Sequence, residues 1–98
     1  MFDVQQSTSV SEWIAHLDVS PRARIVTRIR RIQTTGNFGD HKYVDGGVWE
    51  LRIDFGPGYR LYFAKRGESV ILLLVAGDKS SQAADIRRAK AMVKELGQ

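Results

Sequence analysis

The segment from Trp49 to Phe63 carries two arginines, Arg52 and Arg60, on what the sequence predicts to be a β-hairpin. Hydrophobic and polar residues alternate on both sides of the Gly56-Pro57-Gly58 turn, a pattern typical of strands that bury one face. Guanidinium groups held on rigid strands can bind phosphate oxygens, because each presents a planar fork of N–H donors. Phosphate binding is therefore the chemistry that these residues suggest.

A turn centred on Pro57 predicts which side chains face each other across the hairpin, because antiparallel pairs keep a constant sum of residue numbers. The side chains in these pairs should all lie on the face opposite to the apolar row of the hairpin. The predicted pairs are Asp54 with Arg60, Arg52 with Tyr62, and Glu50 with Ala64.

Two interpretations of this polar face remain open from the residues alone. An antiparallel sheet commonly exposes one face to solvent, so the arginines could be surface residues, with Asp54 and Arg60 as a cross-strand ion pair. Alternatively, the arginines form a preorganised phosphate site beside Tyr62 and Glu50. The alternation pattern by itself favours the solvated face.

Composition limits the class of protein. The chain has 98 residues, with 15 Lys and Arg against 11 Asp and Glu, a net charge of +4 and a pI near 9.8. We expect a single domain over residues 1–98 whose basic surface suits a polyanion or an acidic protein partner. The chain lacks cysteine, and its longest apolar run, Val70 to Ala76, is too short to cross a bilayer. These features predict a cytoplasmic protein outside the membrane.

Residues typical of helix N-termini predict the helices that must position the hairpin. Ser9 with Glu12 fits a capping box before a short first helix, and Ser20 before Pro21 predicts a second helix that runs to about Gln33. Ser80 or Ser81 can cap a last helix with an apolar stripe. The second helix also carries a row of arginines, which could be a solvated face or could follow an RNA backbone. These arginines are Arg22, Arg24, Arg28, Arg30 and Arg31.

The remaining segments predict strands. The opening residues Phe2 to Gln5 fit a short edge strand, and Val70 to Ala76 fit a central strand buried on both faces. Residues 34–47 read as a loop with at most a brief extended piece around Lys42 to Val44. The expected order is β-α-α-β-β-β-α, an α+β fold with an antiparallel sheet and helices packed on one face. His16 and His41 are isolated, so a metal site is not expected.

The stretch VWELRIDFGPGYRLYFAKRGESVILLLVAGDKSSQAADIRRAK resembles the RelE/HigB-like toxins of bacterial toxin-antitoxin modules, in particular the addiction module killer proteins. The resemblance rests on the strand order, the GYR turn, the long apolar strand and the GDKSSQ ending, and it covers about half of the chain. It implies a RelE-like α/β microfold.

The resemblance also implies roles for particular residues. Arg60 in GYR matches the arginine that binds the scissile phosphate, while Arg52 and Lys79 fall where RelE-type toxins carry basic residues. Two positions depart from that pattern. Glu50 occupies the place of a strand lysine, and Asp85 stands where the C-terminal tyrosine of RelE is expected; either carboxylate could be the general base.

The implied activity is ribosome-dependent cleavage of messenger RNA by attack of the 2′-hydroxyl, without a cofactor. Tyr62 would stack on a base or orient a phosphate, or would alternatively be a packing residue. Lys42, Lys65 and Arg66 would attract RNA backbone. The implied partners are the ribosome, messenger RNA and a cognate antitoxin, expected to be a helix-turn-helix protein. Two alternatives remain: a ParE-like inhibitor of DNA gyrase that has no nuclease activity, and a non-catalytic RNA-binding module.

Overall fold

The computed structural model describes residues 1–97 and has the predicted α+β architecture; the predicted domain boundary at residue 98 lies outside the described residues. Within these residues, no helix is both long and apolar enough to span a bilayer. The elements are β1 (Asp3–Gln6), α1 (Thr8–Ala15), α2 (Val19–Thr35), β2 (His41–Asp45), β3 (Val48–Ile53), β4 (Tyr59–Arg66), β5 (Val70–Asp78), a short 3-10 turn (Lys79–Ser81) and α3 (Gln82–Glu95).

The strands form one five-stranded sheet in the order β1-β5-β4-β3-β2. Strands β2 to β5 are antiparallel neighbours, as predicted, whereas β1 runs parallel to β5, with Asp3 beside Val70. The connection between these two parallel strands comprises both helices and strands β2 to β4, which is ample for the long connection that a parallel pair needs. Strand β2 is longer than the brief extended piece that was predicted, because it pairs with β3 across the Gly46-Gly47 turn.

Helices pack on both faces of the sheet, which corrects the prediction that they share one face. On the first face, Val10 of α1 and Ile25 and Ile32 of α2 pack against the apolar row of the hairpin and β5. On the second face, Ala89 and Val93 of α3 pack against a smaller cluster. That cluster comprises Val48, Tyr62, Ala64, Leu74 and Val75, so the face predicted to be polar is apolar along much of its length.

The hairpin register differs from the predicted one by two residues. Arg52 faces Arg60, and Glu50 faces Tyr62. The tight turn is centred on Gly56, which has a positive φ of 58° that favours glycine, and it closes with Gly58 N–H donating to the Phe55 carbonyl at 3.1 Å. The predicted Asp54–Arg60 pair is therefore wrong, and the two arginines are directly opposed.

Two helices begin earlier than the start signals indicate. The N-cap of α1 is Ser7, whose Oγ accepts a hydrogen bond from Val10 N at 3.1 Å, rather than Ser9. The N-cap of α2 is Asp18 rather than Ser20, and Pro21 remains within the first turn, where its missing N–H does no harm. Ser81 occupies the N-cap position of α3, one of the two predicted positions, but its hydroxyl donates to Asp85 Oδ2 and Asp78 O and does not cap the helix.

Candidate functional site

The strand cations converge on one open cavity of about 260 Å³ at the turn end of β3 and β4. Arg52 and Arg60 come from the hairpin, and Lys79 comes from the 3-10 turn that follows β5. Asp40 and Asp54 border the same cavity, which we call the cationic cavity. Three predicted site residues are thus brought together by elements far apart in the sequence.

Glu50 lies fully buried beneath the two arginines. Its Oε1 is 3.0 Å from Arg60 Nε, and its Oε2 is 3.4 Å from Arg52 Nε. The Arg60 N–H is not aligned with the carboxylate, so that contact is an ion pair without a hydrogen bond. Gln82 Nε2 donates to Glu50 Oε1 at 2.9 Å. A buried carboxylate therefore compensates two opposed guanidiniums from below.

The two arginines differ in how freely they face the cavity. The side chain of Arg52 is 34% exposed and that of Arg60 is 11% exposed. Arg60 also donates from Nη1 to its neighbouring carbonyl, Tyr59 O, at 3.0 Å, which restrains the guanidinium. In each arginine, Nε is held by Glu50, and the residue also borders the cationic cavity. Such preorganised donors can stabilise an anion without large rearrangement.

Lys79 is placed by the turn that precedes α3. Asp78 Oδ1 accepts hydrogen bonds from Ser80 Oγ at 2.5 Å and from Ser80 N at 2.8 Å, and these bonds lower the pKa of Asp78. The Lys79 stem passes over Gly58, where a Cβ would lie 3.1 Å from Lys79 Cε. Glycine at this position therefore leaves room for the lysine beside the hairpin turn.

Asp85, the other candidate base, is also buried. Its Oδ2 accepts from Ser81 Oγ at 2.6 Å, and its Oδ1 lies 3.3 Å from Arg88 Nη1. The carboxylate lies against Gly77, where any Cβ would overlap with Oδ2. Asp85 is thus packed against the strand that faces Arg60, but it does not line the cationic cavity.

Tyr62 is fully buried in the α3 cluster, so its ring cannot stack on a nucleotide base in this structure. Its hydroxyl has no hydrogen-bond partner among residues 1–97. Burial, followed by the negative charges of Glu50 and Asp85, raises the pKa of Tyr62. The packing alternative fits this residue better than the predicted base-stacking role.

The predicted backbone-binding cations are dispersed. Lys42 is exposed on β2 beside Glu50, whereas Lys65 and Arg66 lie at the far end of β4. That end is roughly 20 Å from Arg60 at the usual rise of a strand. Lys65 Nζ lies 3.9 Å from the centre of the Trp49 ring, a cation–π contact that anchors its charge there.

Two residues near the cavity were missed by the sequence prediction of the site. Gln82, which holds Glu50, is part of the GDKSSQ stretch but was not assigned a role. Arg28 donates to Arg52 O at 2.6 Å and to Phe38 O at 2.8 Å, which fixes the backbone beside Arg52. A signal existed for Arg28, because its position falls on the same helical face as the buried Ile25 and Ile32.

Histidines and carboxylates do not suggest a metal centre. Within residues 1–97, no group of three such side chains could hold a metal ion. His16 and His41 are exposed, and each Nδ1 lies within hydrogen-bond distance of a main-chain oxygen, at 2.7 and 2.8 Å.

Comparison with known proteins shows similarity to a described family and to a bacterial relative. Residues 12–94 match the model of a family described as phage derived protein Gp49-like (DUF891). The chain is also similar to an uncharacterized protein of Haemophilus influenzae, with 42% identity over 95 residues that cover 96% of this chain and 95% of the relative. The family match includes the hairpin, the 3-10 turn and nearly all of α3.

Proposed function

We propose a function for this chain from its family, since it belongs to the Gp49-like family of phage-derived, addiction-module toxin-like proteins. The proposal is that it is a RelE/HigB-type toxin that cleaves messenger RNA on the ribosome. A toxin of this kind implies an antitoxin partner. The nuclease activity, the ribosome and the helix-turn-helix character of the antitoxin are parts of the proposal.

The cationic cavity carries the proposal. Arg52, Arg60 and Lys79 border one open space, and the first two are held by a carboxylate that solvent cannot reach. Rigid, partly desolvated cations are suited to a phosphoryl group whose negative charge increases during reaction. A simple solvated sheet face would not require a fully buried Glu50 beneath its arginines.

The proposed reaction needs no external reactant. The RNA 2′-oxygen forms a bond to the adjacent phosphorus while the bond from phosphorus to the 5′-oxygen breaks. The products are a 2′,3′-cyclic phosphate and a 5′-hydroxyl. Arg60 and Arg52 stabilise the phosphoryl oxygens, and Lys79 donates a proton to the departing oxygen or stabilises its charge. One group must accept the 2′-hydroxyl proton.

An exposed carboxylate is better placed than a buried one to accept that proton. Glu50 and Asp85 are both buried and occupied by other side chains. Asp40 and Asp54 are exposed and border the cationic cavity. A general base must reach the proton that it removes, so we assign the base to Asp40 or Asp54 and regard Glu50 as a positioning residue.

Growth and cleavage assays test the assignment of Arg60. Wild type, Arg60→Ala and the matched control Arg87→Ala, at an exposed position of α3, would be induced in cells without the antitoxin, and messenger RNA 5′ ends would be mapped. We expect new 5′ ends with wild type and Arg87→Ala but at least a hundredfold fewer with Arg60→Ala, the scale of losing one transition-state donor. Growth arrest with DNA-damage signalling and no new 5′ ends would favour gyrase inhibition instead.

The same assay identifies the base. Asp40→Asn and Asp54→Asn would be compared with Asp85→Asn after each variant is shown to fold. Loss of cleavage in one of the first two identifies the acceptor of the proton. Loss only in Asp85→Asn would return that role to the buried carboxylate and contradict our assignment.

A further inference from the structure

A second cavity, of about 450 Å³, opens between α2 and the end of β3. Asp54 borders this cavity and also the cationic cavity, so the two are neighbours. Its α2 wall carries Arg24, Arg28 and Arg31 together with Thr27. We call this cavity the α2 groove. The proposed reaction assigns no role to it.

Helical spacing and one glycine bring the arginines together. Residues 24, 28 and 31 are four and three positions apart, so they lie along one face of α2. A Cβ built on Gly39 would lie 2.7 Å from Arg31 Nη2 and 3.0 Å from Arg28 Nη2. Gly39 also has a positive φ of 69°. Glycine therefore lets two guanidiniums approach the same point of the backbone.

The groove holds positive charge that is not neutralised by ion pairs. In residues 1–97, the ion pairs within 4.0 Å involve other cations and none of these three arginines. Burial, followed by the neighbouring charge of Arg31, lowers the pKa of Arg28, while Asp40 raises it. An anion that enters the groove would reduce the repulsion between the two guanidiniums.

The three arginines are not equally free to bind a ligand. Arg28 donates hydrogen bonds to main-chain carbonyls, from Nη1 to Arg52 O at 2.6 Å and from Nη2 to Phe38 O at 2.8 Å. Arg24 is exposed, and its guanidinium carbon lies 4.2 Å from the centre of the Phe55 ring, which restrains it at the groove. Arg24 and Arg31 thus retain donors for a ligand, and Arg28 positions the wall.

We propose that the α2 groove binds the phosphate backbone of the RNA strand next to its cleaved bond, so that the substrate is a single strand extending over Asp54. This inference deepens the proposed function and rests on it for the location of the cleaved bond. Forked guanidiniums match phosphate oxygens. Continuity with the cationic cavity favours RNA over an acidic segment of a protein partner, which has no need to reach that cavity.

Binding of uncleavable RNA tests the proposal directly. The full chain would be titrated with a 2′-O-methyl oligonucleotide of about ten residues and with a 2′-O-methyl dinucleotide that is too short to fill both cavities. We expect Arg24→Ala/Arg31→Ala to bind the longer strand about tenfold more weakly and to lower its salt slope by about one. Binding of the dinucleotide should stay the same.

A matched control removes the same charge elsewhere. Arg87 and Lys94 are exposed α3 residues outside the α2 groove, so Arg87→Ala/Lys94→Ala should keep wild-type affinity to within about twofold, because exposed charges far from the bound strand are screened. Arg24→Lys/Arg31→Lys should keep most of the salt slope because it retains both charges. Circular dichroism would establish that each variant is folded.

Several results would overturn the inference. These are equal losses in the two alanine pairs, no loss in either, absence of RNA binding by the wild type, or loss of antitoxin capture without loss of RNA binding. Failure of the nuclease proposal is distinguishable. In that case no new messenger RNA 5′ ends appear, yet affinity for the longer strand still depends on Arg24 and Arg31.

Discussion

Glu50 and Asp85 are both buried acids on the α3 side of the sheet, yet their surroundings differ. Glu50 contacts two arginines and Gln82, and both arginines open onto the cationic cavity. Asp85 accepts from Ser81 Oγ, pairs with Arg88 and lies against Gly77, away from that cavity. Glu50 restrains the two arginines, whereas Asp85 holds the start of α3 against β5.

The comparison teaches that two acids buried to a similar degree can have very different partners, so burial alone is not sufficient to assign a catalytic role to either. A buried carboxylate that pairs with partly exposed cations fixes their direction and lowers the repulsion between them. A buried carboxylate that accepts from a hydroxyl and reaches an exposed arginine mainly satisfies local polar groups. Substitutions at the two sites should therefore have different consequences for activity even where both reduce stability.

The largest effect is expected at Glu50. Glu50→Ala leaves two guanidiniums without their buried counterion, so the free energy of unfolding should fall by about 3–5 kcal/mol. Urea denaturation followed by fluorescence of Trp49 and Trp13 would measure the change. If the variant does not fold, Glu50→Gln keeps the shape of the side chain and allows the comparison.

Measurements of activity distinguish a positioning role of Glu50 from a purely structural one. In the cleavage reaction proposed above, folded Glu50→Gln should be at least tenfold slower than wild type, because Arg52 and Arg60 lose their alignment. Asp85→Asn should cleave at close to the wild-type rate once it is folded. Equal loss of cleavage in both variants would contradict the comparison drawn between the two acids.

An intermediate effect is expected at Gly77, since a Cβ there would overlap with Asp85 Oδ2 and lie 2.5 Å from Ser81 Oγ. Gly77→Ala should reduce the free energy of unfolding by about 1–3 kcal/mol. Asp85→Ala should cost a similar amount, because Ser81 and Arg88 lose an acceptor. The double variant should then be more stable than the two single changes predict, and additive losses would contradict the close contact.

The smallest effect is expected at Tyr62, which faces Glu50 across the hairpin and is also influenced by the charge of Asp85. Its hydroxyl is buried without a partner among residues 1–97, so Tyr62→Phe should change the free energy of unfolding by less than about 1 kcal/mol at neutral pH. Calorimetry of both proteins would measure this. A large loss at neutral pH would indicate that the hydroxyl has a hydrogen-bond partner after all.

The free energies of unfolding of wild type and Tyr62→Phe should differ more at alkaline pH. Because burial raises the pKa of Tyr62 in the folded protein, the unfolded chain loses this proton first. Its contribution to stability is present below about pH 10 and is lost as pH rises above that value. Wild type should therefore lose stability relative to Tyr62→Phe above about pH 10, and parallel curves would contradict the raised pKa.

Local patterns in the sequence were sufficient for the α+β class, for most helices and strands and for the shared face of Arg52, Arg60 and Glu50. They were not sufficient for the hairpin register, because the Phe55–Gly58 turn depends on the positive φ of Gly56. A shift by two residues keeps every side chain on its face, so alternation cannot detect it.

Local sequence patterns also could not predict the position of α3 or the burial of Glu50. The second face of the hairpin is apolar at Val48, Tyr62 and Ala64 but charged at Glu50, Arg52 and Arg60. Which part a helix covers depends on where the chain returns after β5. The partners of Glu50 come from positions 52, 60 and 82, so only the folded chain brings them together.

The parallel pairing of β1 with β5 has a consequence for how the protein is made. Asp3 to Gln6 are synthesised well before their partners, Val70 to Leu73, because both helices and three strands lie between them in the sequence. Until then β1 has no strand beside it and the first face of the sheet is incomplete, a long-range closure that slows folding. A nascent chain interrupted before β5 would lack both this strand and the lysine at position 79, so partial products should be unable to assemble the proposed active site.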